Sequence, residues 1–182
     1  MHELIDAIES EITAVLAKHC LDTPLGKCLY VTHVTASALH KRHLHPVIQA
    51  GSLQWPIMHR EDDDGKSSTH FAYMWNPHHT ASILARATGS LPEMHVWCGL
   101  TRPQTLVDFS TRDLRKHAEA CGLVWRSGDP PQYLFRHPAK LPDWVVYTPN
   151  REATLYACRI LKKLFDPPYL KHHQPNLAIG MN

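Results

Sequence analysis

Residues 94–110, MHVWCGLTRPQTLVDFS, contain two strand-like stretches joined by a connection too short for anything but a hairpin, so an antiparallel sheet is built into the chain. With Leu100 opposite Pro103, the constant register of such a pair places His95 opposite Asp108. Side chains directly opposed on one face have Cβ atoms about 4.5–5.5 Å apart, close enough for an imidazole and a carboxylate to hydrogen-bond. The same register gathers Met94, Val96, Cys98, Leu100, Val107 and Phe109 on the other, apolar face. A slip of one residue would turn Asp108 towards the core.

Around this hairpin the chain runs helices first and strands after. Leu4, Ile5, Ile8, Ile12, Val15 and Leu16 mark one face of a helix over residues 3–18. A loop from Leu21 to Lys27, with Pro24 and Gly26, leads to a second helix starting near Cys28 and carrying Val31, Val34, Ala38 and Leu39. Strand-like segments follow at 47–51, 52–58 and 69–75, with Asp64-Gly65 as a turn between the last two. A short helix is expected over 79–88, ended by Gly89, Ser90 and Pro92. After the hairpin, Ser110 and Asp113 suggest the start of a helix over 111–121, with Gly122 stopping it. Strands YLF and WVVY come next, and Thr148 with Pro149 is read as opening a last helix, whose apolar positions are Leu155, Ile160, Leu161 and Leu164. Segregated helices and an antiparallel meander define an α+β class, as one domain over 1–166 with a tail over 167–182.

Composition removes several functions. Among 182 residues, 19 Lys and Arg against 17 Asp and Glu give a formal charge of +2, which argues against a phosphate-gripping nucleic-acid binder. No apolar run approaches a membrane span, and the acidic start MHELIDAIESEI is unlike a signal peptide, so a cytoplasmic protein with no membrane partner is expected. The 5 cysteines include no C-x-x-C pair, which points to free thiols. The 15 histidines make the net charge rise as pH falls. Those in HKRHLH at 40–45, PHH at 77–79 and KHH at 171–173 raise a metal-binding alternative, but they lack the His-Glu-x-x-His spacing of a helical zinc site. No metal or organic cofactor is expected.

A carboxylate on one imidazole nitrogen fixes the tautomer and stabilises the protonated ring, leaving the other nitrogen to act on a nucleophile. Cys28 is the candidate nucleophile. It sits at a predicted helix start, where exposed N–H groups and the helix dipole favour a thiolate and can stabilise an oxyanion. Cys98 and Cys158 suit the role of small buried hydrophobes, and Cys20, at the end of the first helix, has no exposed N-terminus before it. Asp22, Thr23 and Lys27 precede Cys28 as loop residues, while Trp97 and Leu106 are expected to pack against the Cys28 helix.

In sequence order the chain presents G-K-C at 26–28 leading into a long helix, HPVIQAG at 45–51, H-V-W-C-G-L at 95–100 and V-D-F-S at 107–110. This order resembles the transglutaminase-like and papain-like cysteine enzyme superfamily over about residues 20–112. The resemblance implies N-terminal helices packed on an antiparallel sheet, with Cys28 as nucleophile, His95 as general base and acid, and Asp108 as orienting carboxylate. It implies a cysteine-dependent hydrolase that cleaves a peptide or amide bond through a thioester, on a peptide, protein or small amide or acyl substrate. Acyl transfer of the transglutaminase or N-acetyltransferase type uses the same triad. An inactive binding module on the same fold is a further alternative. The chain departs from the papain-like pattern in having no glutamine in LDTPLGK to serve as oxyanion donor, which leaves Gln49 and Gln54 as candidates. Beyond Arg112 no part of the pattern is matched.

Overall fold

The computed structural model describes residues 2–18, 27–59, 68–90 and 92–171. Helices α1 (His2–Lys18) and α2 (Lys27–Lys41) come first, as the apolar spacing predicts. Strands β1 (Pro46–His59) and β2 (Ser68–Tyr73) follow, then helix α3 (Thr80–Thr88) and the hairpin β3 (His95–Thr101) and β4 (Gln104–Asp108). A 3-10 turn (Thr111–Asp113) precedes α4 (Leu114–Ala120). Strands β5 (Leu134–Arg136) and β6 (Val146–Pro149) and helix α5 (Arg151–Phe165) complete the order. The class is α+β, with helices and an antiparallel sheet. The Asp64-Gly65 turn lies outside the described residues.

The sheet differs from a sequential meander. Its order is β2-β1-β3-β4-β5, and β6 also pairs with β1. The segments expected as two strands, 47–51 and 52–58, are one long strand with three partners. Pro46–Gly51 pairs with β3, residues 53–59 pair with β2, and Gly51–Gln54 pairs with β6. Pro56 is accommodated where the β1–β2 register shifts, between Pro56 and Met58, as expected of a proline inside a sheet. At Gly51 the β6 backbone comes so close that a Cβ would stand 2.0 Å from the Thr148 carbonyl oxygen.

Each face of the sheet carries its own core. On one, Ile5, Ile8 and Ile12 of α1 and Val31, Val34 and Leu39 of α2 pack with Ile48, Val96, Cys98 and Val107. Helix α5 joins this core through Ala153, Ala157 and Leu161, spaced four apart on one face, while Leu164 is 49% exposed, contrary to its expected inward position. On the other face, Trp55, Phe71, Trp97, Leu106, Leu114 and Tyr147 form a second core. Trp97 and Leu106 therefore pack away from α2 rather than against it.

Local chemistry explains the element ends. Gly89, at φ 72°, closes α3 in the left-handed conformation glycine adopts most readily. Thr148 and Pro149 belong to β6 rather than to the last helix. Asn150 is the cap, its Oδ1 accepting from the Glu152 and Ala153 N–H groups at 2.9 and 3.1 Å. Beyond residue 166, Tyr169 is buried in the first core and its hydroxyl pairs with His33 Nδ1 at 3.0 Å.

Candidate active site

Cys28 is the second residue of α2, 6% exposed, so the helix-start position read from the sequence is present. The loop before it, with Cys20, Asp22, Thr23, Pro24 and Gly26, lies outside the described residues. Lys27 forms an ion pair with Asp113 at 3.7 Å, tying the start of α2 to the turn after β4.

His95 opens β3, paired with Gly51 of β1, and Asp108 closes β4. The hairpin register is offset by two residues from the one expected: Thr101 pairs with Gln104 and Cys98 with Val107. Pro103 has no N–H to give to the ladder and sits with Arg102 in the turn, which moves the register. An offset of two keeps every side chain on its face. His95 and Asp108 are thus diagonal rather than opposed, and the hydrogen bond still forms, His95 Nε2 donating to Asp108 Oδ2 at 2.7 Å.

Asp108 is 2% exposed and saturated with donors. Tyr147 donates its hydroxyl to Oδ2 at 2.7 Å, and Ser110 donates its N–H at 2.8 Å and its hydroxyl at 2.6 Å to Oδ1. Ser110, read as a helix cap, makes no side-chain cap bond and serves the carboxylate instead. Burial alone would push the Asp108 carboxyl up, but the charge and hydrogen bond of His95, with the hydrogen bonds of Ser110 and Tyr147, hold it below the usual carboxylate range.

His95 is fully buried. Burial alone would lower its pKa, yet the Asp108 charge and hydrogen bond, with a smaller contribution from Cys28, raise it from 6.5 to about 9. Its Nδ1 is buried with no hydrogen-bond partner among the described residues. Cys28 is near enough to this ring to be among the groups that raise its pKa. The structure thus brings Cys28, His95 and Asp108 together in one place.

A pocket of about 540 Å³ opens beside Cys28, walled by Phe71, Tyr73, Pro92, Met94 and His117, with Glu93 among its lining residues. The Tyr73 hydroxyl pairs with His117 Nδ1 across the pocket wall. Neither Gln49 nor Gln54 lines this pocket, and Gln49 Oε1 accepts from Trp97 Nε1 at 2.9 Å. Cys98 is fully buried, its thiol donating to the Thr32 carbonyl at 3.6 Å, and burial pushes its pKa up. Cys158 is half-buried against the first core. Among the described residues no three His, Cys, Asp or Glu side chains converge as a metal site, and no helix is long and apolar enough to cross a membrane.

Sequence reasoning missed Tyr73 and Tyr147. Their hydroxyls were the available signal, because a phenol in an otherwise apolar strand needs a polar partner once buried. No family model, curated protein or solved structure matches the chain.

Proposed function

We propose that the chain is a cysteine-dependent hydrolase of the transglutaminase-like and papain-like kind, cleaving a peptide or amide bond through a thioester on Cys28. The observation that carries this reading is a four-times hydrogen-bonded Asp108 that holds His95, with Cys28 at a helix start near the same ring. Asp108 keeps the imidazole protonated and oriented, and the imidazolium favours a thiolate beside it. The thiolate attacks the carbonyl carbon, and the N-terminus of α2 stabilises charge on the oxygen. His95 then gives its proton to the leaving nitrogen, and water taken up by the same base resolves the thioester. The apolar pocket walls beside Cys28 suit an uncharged acyl group. Cys28, Cys98, Cys121 and Cys158 form no disulfide with one another, which suits a reducing compartment such as the cytoplasm.

Alkylation by iodoacetamide, followed cysteine by cysteine with mass spectrometry, tests the reading in the parent and in His95→Ala. Cys28 is expected to react faster at neutral pH than Cys121, which is exposed, and to lose that lead in the variant. A Cys28 slower than Cys121 in the parent protein would remove the nucleophile and with it the proposal.

A further inference from the structure

Attack on a carbonyl places negative charge on its oxygen, and a backbone N–H at a helix start is commonly joined by a second donor. No glutamine precedes Cys28 in LDTPLGK, and neither Gln49 nor Gln54 lines the pocket. Tyr73 does, at the end of β2, in the same pocket wall as Cys28. Its ring centroid lies 5.1 Å from that of His95. We propose that Tyr73 is the side-chain donor to the oxyanion formed when Cys28 attacks a carbonyl, with His117 as its positioning residue. This rests on the cysteine-enzyme reading above.

The phenol is held on two sides. His117 Nδ1 pairs with its hydroxyl, the two ring centroids 4.9 Å apart, and Phe71 packs edge-on against it at 5.0 Å. Burial pushes the Tyr73 pKa far up, with the Cys28 charge foremost among the charges that add to it, so the phenol keeps its proton as a donor must. Burial lowers the His117 pKa, which favours a neutral imidazole. In the tautomer with its proton on Nδ1, His117 donates to the phenol oxygen and leaves the Tyr73 O–H free to point into the pocket.

In the step itself, the sulfur forms a bond to the carbonyl carbon while the C=O π pair moves onto oxygen. Tyr73 contributes a hydrogen bond and transfers no proton. The oxygen pair then re-forms C=O, and the leaving group departs with the bonding pair, protonated by the His95 imidazolium when it is an amine. An SN2 displacement at an alkyl carbon creates no oxyanion, so this help applies to acyl chemistry alone.

That difference supplies the experiment. The full chain, Tyr73→Phe and His117→Asn are each treated with p-nitrophenyl acetate and, separately, with iodoacetamide, and modification of Cys28 is timed by mass spectrometry. Tyr73→Phe is expected to slow acetylation about 100-fold, the loss typical of one oxyanion donor, while alkylation stays within about 2-fold of the parent. His117→Asn is expected to slow acetylation by a smaller factor with alkylation likewise unchanged. Buried Cys98, unlabelled throughout, reports an intact fold. Acetylation of Tyr73→Phe at the parent rate overturns the proposal. So does an equal slowing of both reactions, which would make Tyr73 a support for the thiolate or the fold. If neither reagent modifies Cys28 of the parent protein, the cysteine-enzyme reading fails first and this inference falls with it.

Discussion

Tyr147 and Asp108 stand 39 residues apart in the chain, and the phenol donates a 2.7 Å hydrogen bond to the carboxylate oxygen that also accepts from His95. The contact runs from β6 to the end of β4, so the last strand of the sheet helps to hold the charge that orients the imidazole. Both partners are buried, Tyr147 at 3% and Asp108 at 2% exposure, which keeps water from replacing either one.

Tyr147→Phe removes one donor to a buried carboxylate and changes little else in shape. A loss of about 2 kcal/mol is expected, since hydrogen bonds to charged groups contribute roughly 1.5–3 kcal/mol. With that donor gone, the Asp108 carboxyl moves up towards its ordinary range, so acid unfolding should begin at a higher pH. Urea unfolding at neutral and acidic pH measures both effects. An unchanged midpoint at neutral pH would show that the bond contributes nothing.

The His95–Asp108 pair also sets a pH window. His95 is raised from 6.5 to about 9 in the fold, so its contribution is full below pH 6.5 and is lost as pH rises through about 9. Asp108 is lowered from 3.8, so its contribution is present above that value and is lost as pH falls through its folded-state value. His33 and His117, both lowered by burial, act in the opposite sense below pH 6.5 and add no slope above it. The urea midpoint should therefore fall between about pH 6.5 and pH 9.5, and His95→Gln should flatten that decline. A parent protein equally stable across this range would contradict the ion pair.

Gly51→Ala tests the close crossing of β1 and β6. The added Cβ would meet the Thr148 carbonyl oxygen at 2.0 Å and the Asn150 nitrogen at 2.9 Å, both backbone atoms that have no rotamer by which to yield. A loss of about 3 kcal/mol or more is expected from such overpacking, read by chemical denaturation. Because Gly51 pairs with His95, acylation of Cys28 should weaken as well. Stability equal to the parent would mean that the two strands do not approach this closely.

Local patterns made much of this legible. Apolar spacing announced α1 and α2, the breakers Gly89, Ser90 and Pro92 marked the end of α3, and the alternation in MHVWCGLTRPQTLVDFS put His95 and Asp108 on one face even though the register is offset by two. Parity survives such an error because side chains alternate with period two. The partners of Asp108 were hidden for a different reason. Ser110 looked like a cap because Ser and Asp at that spacing also begin helices, and Tyr147 reaches the site by a strand pairing no local window contains. The segments 47–51 and 52–58 are one long β1, and the glycine at their junction is where β6 passes close by. Trp97 was assigned to the wrong core because alternation separates the two faces of a strand without saying which one a given helix covers.

The sharing of β1 among three partners bears on how the molecule breathes. Ala50, Gly51 and Leu53 lie under neighbours that arrive from distant parts of the chain, with the Thr154 hydroxyl of α5 bonded to the Ala50 N–H at 3.0 Å. Freeing that strand means parting β2, β3 and β6 together, so the wall behind His95 has no low-energy way to open on its own. On the proposed function, both the acyl group and the water that resolves the thioester would come in from the pocket side, past Cys28, rather than through the sheet.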